Sequence, residues 1–327
     1  MKRFLLFLTV VMLVASLGCD KAKNPTAPEK SAITENETEL TDAAAKASRA
    51  AIRVPDDYST IQAAVDAANP GNKIVVRASS SPYTEIVTIG STKTGIHLTT
   101  QGSVTLNGRI AISADDVKID HFKITVVQPT SAGGIRVWDT SGRTVSGVKI
   151  SHNTITGNAV QSRGIELYNV KNCLVTKNTC TGHQLNGILM FSSTSNIITR
   201  NTCTGNSYGI YLTFSDNNQV IGNDFSANNQ VGIEVSGSEG NRFKSNVCNR
   251  NGDSGIAVSG SGSNNNAFGP GNTANFNGRY GIILFPGISG NTVRKSDFHC
   301  NTLGDILDLG TGNTFIKNST GPLPECQ

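Results

Sequence analysis

The chain has 327 residues, of which only 16% are charged, and it carries 34 Gly and 33 Asn. Its net charge is +4; without the first 18 residues, which hold Lys2 and Arg3 and no acid, 26 bases face 24 acids, or +2. That balance excludes the clustered basic surface of a nucleic-acid binder. A hydrophobic content of 37% excludes a wholly disordered chain, and abundant Asn and Gly argue against a helix-rich fold because both disfavour helix interiors.

Met1–Gly18 reads as a signal peptide: Lys2-Arg3, the apolar run Phe4–Val14, then small residues. The run is too short to span a bilayer, which needs about 20 apolar residues. Ser16-Leu17-Gly18-Cys19 resembles a bacterial lipoprotein lipobox, with Leu17 later than that motif places its Leu and Ser16 in its position. The resemblance implies lipidation of Cys19 and a membrane anchor of buried acyl chains. Ser16 and Gly18 equally satisfy the small-x-small rule of ordinary secretion. Residues 19–51 follow as a disordered tether, with six acids, five bases and almost no large apolar residue.

The folded part is expected over residues 52–321, with residues 322–327 as a C-terminal tail. In Val54–Ala68, the residues Ile61, Ala64, Val65 and Ala68 share one helical face. Asn69-Pro70-Gly71-Asn72 ends that helix, Ile74-Val75-Val76 is the first expected strand and Tyr83–Ile89 the next.

From Gly134 a unit recurs. Gly-Ile-x-apolar opens at Gly134, Gly164, Gly187, Gly209, Gly232, Gly255 and Gly281, at spacings of 30, 23, 22, 23, 23 and 26, with a degenerate copy from Gly304. Fourteen residues after most of these glycines stands an Asn (Asn178, Asn201, Asn223, Asn246, Asn318), and two further on a buried-type residue (Cys180, Cys203, Phe225, Cys248). Val175, Ile198, Val220 and Phe243 mark a third apolar position. Each unit thus holds three short period-two strands separated by Asn/Gly/Ser turns. One unit cannot bury its apolar face alone, so units stack, and residues one coil apart lie about 4.8 Å apart. The repeated Asn suits a bend in left-handed conformation, its amide bonding to the Asn above and below.

These features resemble the right-handed parallel β-helix of the pectin-lyase-like superfamily, over about residues 52–320. The resemblance implies an all-β, single-stranded right-handed parallel β-helix (a solenoid) with Val54–Ala68 as an N-terminal capping helix. It is nearly silent on activity. The polygalacturonase motifs Asn-Thr-Asp, Gly-His-Gly and Arg-Ile-Lys, the pectin methylesterase motif and the Asp-Pro-His-Asp of alginate epimerases do not occur. Ile119-Asp120-His121 resembles the Ile-Asp-His of pectate lyases, but the partner Arg-x-Pro-x-x-Arg is missing. The repeats also resemble the β-helix of the periplasmic maturation proteins for nitrous oxide reductase, without a His/Met/Cys cluster to hold copper.

Cys180, Cys203 and Cys248 share one inward phase and read as core residues, while Cys300 and Cys326 lie close enough to the C-terminal end to bridge. No His stands at metal-ligand spacing to a Cys, so no metal site is expected; Asp216 and Glu239, in one turn column, could share Ca²⁺ or stand as solvated acids. Glu166 and Glu234 fall three coils apart, about 14 Å, too far to pair as glycosidase carboxyls. Glu166 with Asp139 is the alternative pair.

If Ile points inward, the second and fourth places after Gly point out. The second-place column reads Arg136, Glu166, Leu189, Tyr211, Glu234, Ala257, Ile283, and the fourth-place column Trp138, Tyr168, Phe191, Thr213, Ser236, Ser259, Phe285. Solvent-facing aromatics beside charges suit stacking on sugar rings. The candidate site is therefore Arg136, Trp138, Asp139, Arg163, Glu166, Tyr168, Phe191 and Tyr211, walled by the turns 126–133, 139–147 and 157–163. The expected function is polysaccharide binding by an exported cell-envelope protein, lipid-anchored or secreted, acting as a monomer. The alternatives are a uronate lyase or epimerase and a non-catalytic adhesin-like or assembly scaffold.

Overall fold

The computed structural model describes residues 51–127, 133–157 and 161–326. The signal peptide, Cys19 and all but the last residue of the tether lie outside the described residues, as do 128–132 and 158–160 in two of the three expected walls. Within it the chain coils into a parallel β-solenoid. One sheet has 12 strands running from Ile52–Val54 to Thr314–Ile316, and a second has 14. The 14-stranded sheet joins two of the three expected columns. Thr105–Ile112 is long enough to pair with Lys123–Val126 through its front half and with Gly133–Val137 through its rear half.

The expected register holds. Ile135, Ile165, Ile188, Ile210, Ile233, Ile256 and Ile282 stack as successive Cα partners, all fully buried. Close packing explains the preceding glycine: a Cβ on Gly187 would lie 2.6 Å from Cys203 Cβ and 2.7 Å from the carbonyl oxygen of Gly209. The last copy departs by one residue. Gly304 partners Tyr280 and Ile306 partners Ile282, so Asp305 takes the glycine place. The inward residues of the other two columns, among them Val175, Ile198, Val220 and Phe243 and then Cys180, Cys203, Phe225 and Cys248, are fully buried. Each such side chain contributes about 1.5–3 kcal/mol relative to exposure. Those three cysteines and Cys173 are free thiols in the core, and Cys300 is bonded to Cys326.

The capping helix is shorter than expected, α1 at Ile61–Ala67. Thr60 caps it by accepting the Ala63 N–H at 3.1 Å, and the Glu85 carboxylate accepts the N–H groups of Ile61 and Gln62 at 3.0 and 2.9 Å. Ile61, Ala64, Val65 and Ala68 are buried, as their spacing requires. The segment before α1 is not helical. Ile52–Val54 pairs in parallel with Ile74–Val76, so Ile74–Val76 is the second strand of its sheet, not the first. An alternating Ile52-Arg53-Val54 beside an open sheet edge gains ladder hydrogen bonds that a helix would forgo.

Three files of Asn hold the coils in phase. In the expected file (Asn153, Asn178, Asn201, Asn223, Asn246, Asn272), the backbone N–H and the side-chain amide of one Asn both donate to Oδ1 of the next, at 2.9–3.2 Å. A second file runs Asn196, Asn218, Asn241, Asn266, Asn291, and a third Asn206, Asn228, Asn251, Asn277, Asn301. Asn218 and Asn266 are thus buried rungs, not the exposed turn residues their polar surroundings imply. His152, Lys177 and Arg200, just before rungs of the first file, adopt left-handed φ of 56–57°. Such backbone costs a non-Gly residue about 1–2 kcal/mol, which the rung's hydrogen bonds offset.

Asn201 accepts two bonds from Asn178 and donates to Val175 O and to Asn223. Asn201→Ala leaves the buried Asn178 N–H without an acceptor and takes one donor each from Val175 O and Asn223 Oδ1. Urea denaturation is expected to show a loss of about 2 kcal/mol or more; a loss below about 1 kcal/mol would mean that the files do not carry the register.

Candidate functional site

The fourth-place column forms an exposed strip. Trp138 and Phe191 are each 39% exposed and Tyr168 lies half-buried between them. Trp138–Tyr168 and Tyr168–Phe191 ring centroids are 6.2 and 5.6 Å apart. Phe214, outside the expected site, extends the strip. It sits in a left-handed turn (φ 49°), 62% exposed, with its ring 5.9 Å from Phe191. Arg136 lies across the strip, its guanidinium carbon 4.0 Å from the Trp138 ring centre and 5.1 Å from that of Tyr168. This cation–π seating fixes a cation beside the rings.

Two open clefts flank these residues. One, of about 280 Å³, is lined by Thr88, Arg109, Ser113, Arg136, Trp138 and Thr140, among others. The other, of about 360 Å³, is lined by Arg163, Tyr168, Asn186, Phe191, Tyr208 and Tyr211 with the apolar Leu185 and Leu189. Tyr208 and Tyr211 lie 5.5 Å apart there. Six of the eight expected residues (Arg136, Trp138, Arg163, Tyr168, Phe191 and Tyr211) therefore meet on one surface.

The two acids do not face it openly. Glu166 is only 1% exposed. Its Oε1 accepts Arg163 Nη1 at 2.8 Å, its Oε2 accepts the Gly133 N–H at 2.8 Å, and Arg136 Nε lies 3.5 Å away. The Gly133 backbone lies against it, so Glu166 positions two arginines rather than a sugar. Asp139 is 7% exposed and closes its own turn, accepting the Ser141 N–H and hydroxyl at 2.9 and 2.7 Å and Arg143 Nε at 3.0 Å. The Ser141 N–H, with its hydroxyl and Arg143, holds the Asp139 carboxyl below the usual range. Arg143 also reaches Asp115 at 2.8 Å and the Ser113 carbonyl. The turn 139–147 is thus a braced wall. Glu166 and Asp139 do not form an open catalytic pair.

The rest of the second-place column also departs from the expected open face. Leu189, Ala257 and Ile283 are 4–6% exposed. Val231, Ala257 and Ile283 make a second apolar cluster outside the main core, with Tyr208, Tyr280 and Leu307 against it. Tyr208, Val231 and Tyr280 stand at or before the opening of their first strands, which alternation alone does not reveal, and Leu307 is the partner of Ile283 one coil on. Beside them Glu234 is half-buried between Tyr211 and Ala257 in the register, accepting the Ser259 hydroxyl at 2.5 Å. Burial raises its carboxyl to about 7, with Asp253 adding to the shift and Ser259 opposing it.

His183, the stacked histidines and Asp216 serve the fold. His183 is buried against Ser162 Oγ (3.0 Å) and the Ile155 carbonyl (3.2 Å), and burial lowers it to about 4. His121 and His152 stack in parallel at 5.0 Å. Asp216 Oδ1 accepts the Glu239 N–H at 2.8 Å. Among the described residues no three His, Cys, Asp or Glu side chains converge on a metal position.

A parallel β-solenoid with a helical cap and a solvent-facing aromatic strip is the class of protein that these features define. The family model "Right handed beta helix region" matches residues 133–298, just over half of the chain, and the chain belongs to that family. A search of curated proteins gives no match. Among solved structures, ORF18 of Geobacillus virus E2 is similar at 12% identity with a TM-score of 0.57, covering 90% of this chain and 66% of its own. The periplasmic alginate epimerase AlgG is similar at 17% identity (TM-score 0.44; 83% of this chain, 85% of that one). PfbA, a surface adhesin of Streptococcus pneumoniae, is similar at 12% identity (TM-score 0.49; 83% and 90%). At these identities the shared property is the fold. No helix among the described residues is long and apolar enough to cross a membrane.

The Glu234 shift has a definite sign. The folded state penalises the charged carboxyl and the unfolded state does not. Below the ordinary value of 4.5 both states are protonated and the penalty is absent; it grows as pH rises and is complete above about 7. Stability contributed by this group therefore falls between these limits, by on the order of 3 kcal/mol. Glu234→Gln is expected to leave stability at pH 4 unchanged and to raise it at pH 8 in paired urea titrations. An equal effect at both pH values would contradict the assignment.

Proposed function

We propose that this is an exported cell-envelope protein that binds an extended acidic polysaccharide along the outward face of its first-sheet strands. The observation that carries the reading is the exposed file Trp138, Tyr168, Phe191 and Phe214 with Arg136 laid across it. Ring faces at one-coil intervals offer stacking platforms to consecutive sugars, whose C–H faces are apolar and whose hydroxyls need polar neighbours. Arg109 and Arg136 line the first cleft, and a pair of cations favours a carboxylate or sulfate.

Binding fits this site better than lyase or epimerase chemistry, because Asp139 and Glu166 are committed to arginines and backbone N–H groups. Export rests on the leader Met1–Gly18, and attachment to a membrane on Cys19. Intact mass spectrometry of the membrane fraction tests the anchor: an acylated N-terminal Cys19 supports it and an unmodified one contradicts it.

Trp138→Ala is expected to weaken binding to acidic glycans at least about tenfold in affinity electrophoresis. Raising the salt should weaken the wild-type chain further, since solvent-exposed charges are screened. Unchanged affinity of Trp138→Ala across a broad glycan panel would overturn the reading. New unsaturated uronate ends, read by absorbance, would replace binding with cleavage.

A further inference from the structure

The third column presents a different surface. Thr154-Ile155-Thr156, Thr179-Cys180-Thr181 and Thr202-Cys203-Thr204 occupy successive coils. The register sets Thr154 beside Thr179 beside Thr202, and Thr156 beside Thr181 beside Thr204; Thr125 extends the second file by one coil. Between the files Ile155, Cys180 and Cys203 point inward and are fully buried, so the strands carrying the threonines are seated on the core. Thr154 and Thr156 are exposed, and the other four of the three Thr-x-Thr strands are half-buried against one another.

Seven threonines therefore form a two-dimensional grid. Neighbours along a file are about 4.8 Å apart and the two files are about 6.6 Å apart, one strand spacing by two residues. Every grid point carries the same hydroxyl and methyl, and β-branching restricts each χ1, so the groups are held in orientation as well as position. Gly182 and Gly205, left-handed at φ 71° and 67°, border the grid with no side chain to stand above it. Lys123 pairs with Thr154 at one end and Asp224 bridges to Thr202 at the other, while the exposed Lys177 and Arg200 stand two residues before Thr179 and Thr202, so charge borders the grid but does not enter it.

The chemistry of such a face selects its ligand. The threonines themselves carry no charge to complement a charged partner. A glycan chain lays its sugar-ring faces on aromatic rings, and the grid holds none. A crystal of water presents oxygens at regular spacings of this size, and its surface can accept hydroxyls at lattice positions while methyls enter the hollows between them. We propose that the threonine grid binds the surface of ice. This is independent of the aromatic strip, which lies on the first-sheet strands.

The test uses the full mature chain in a splat assay of ice recrystallisation and in nanolitre osmometry. The wild-type chain is expected to halt the coarsening of ice grains and to shape growing crystals. Thr181→Lys and Thr202→Lys, made singly, place a long charged side chain inside the grid and should each raise the concentration needed by about tenfold or more. Gln219→Lys, on the outward face of another column, should leave it unchanged. Thermal melting read by circular dichroism shows whether the lysine variants stay folded; should they unfold, Thr181→Ser, which removes only the methyl, takes their place and is expected to weaken the effect. A wild-type chain that leaves ice coarsening untouched overturns the proposal, as does full activity in the folded lysine variants. Retention by crystalline cellulose or chitin without any effect on ice would assign the grid to a solid polysaccharide instead and equally overturn it.

Discussion

The structure depends on the hydrogen bond from one buried Asn to the Asn one coil away. A solenoid of short strands has a weakness: strand register is set by the pleat alone, and a slip of one residue turns every inward side chain outward. Three Asn files remove that freedom. Each rung satisfies the N–H of its neighbour and a carbonyl beyond it, so a displaced coil would bury unpaired polar groups at three corners at once. The cost of misregister is therefore polar, while the gain from correct register is apolar, through the stacked Ile, Phe and Cys side chains. Because the corners are fixed, positions in the sequence become positions in space.

That conversion produces the candidate site. Trp138, Tyr168, Phe191 and Phe214 stand 30, 23 and 23 residues apart and still meet ring to ring, because the corners absorb the extra length in the first coil. Charge then sets what the strip does. Glu166, almost without exposure, holds Arg163 and lies against Arg136, and Arg136 in turn is laid over Trp138. An acid that would repel an anionic ligand is thereby neutralised and put to use in orienting two cations. Arg143 does the same for Asp115 and Asp139 at the edge of the strip.

Much of this was legible in the spacing of Gly, Ile and Asn. The stacked isoleucines, the buried cysteines and the exposure of Trp138 and Phe191 follow from the repeat, and the capping face of α1 from helical spacing, whereas the Cys300–Cys326 bond was open in the sequence and is supplied by the fold. The other two Asn files were legible too: Asn196 and Asn206 stand nine and nineteen residues after Gly187, and Asn218 and Asn228 at the same distances after Gly209. They are hidden only because Asn in a turn looks solvated. What alternation does not carry is coverage of the outer face. It says that Glu166, Leu189, Ala257 and Ile283 point away from the core, but not that Gly133, Tyr208, Val231 and Tyr280 lie over them. Arg109 belongs to a coil without the Gly-Ile opening, and its place beside Arg136 depends on the pairing of Ala111 with Arg136 that only the fold supplies.

The central claim is that stacked coils make a continuous strip for consecutive sugars, about 14 Å long from Trp138 to Phe214 at three strand spacings. Isothermal titration with acidic oligosaccharides of increasing length tests it most directly. Affinity should rise with each added sugar until the strip is covered and then level off. Affinity independent of length, or no binding at any length, would contradict it.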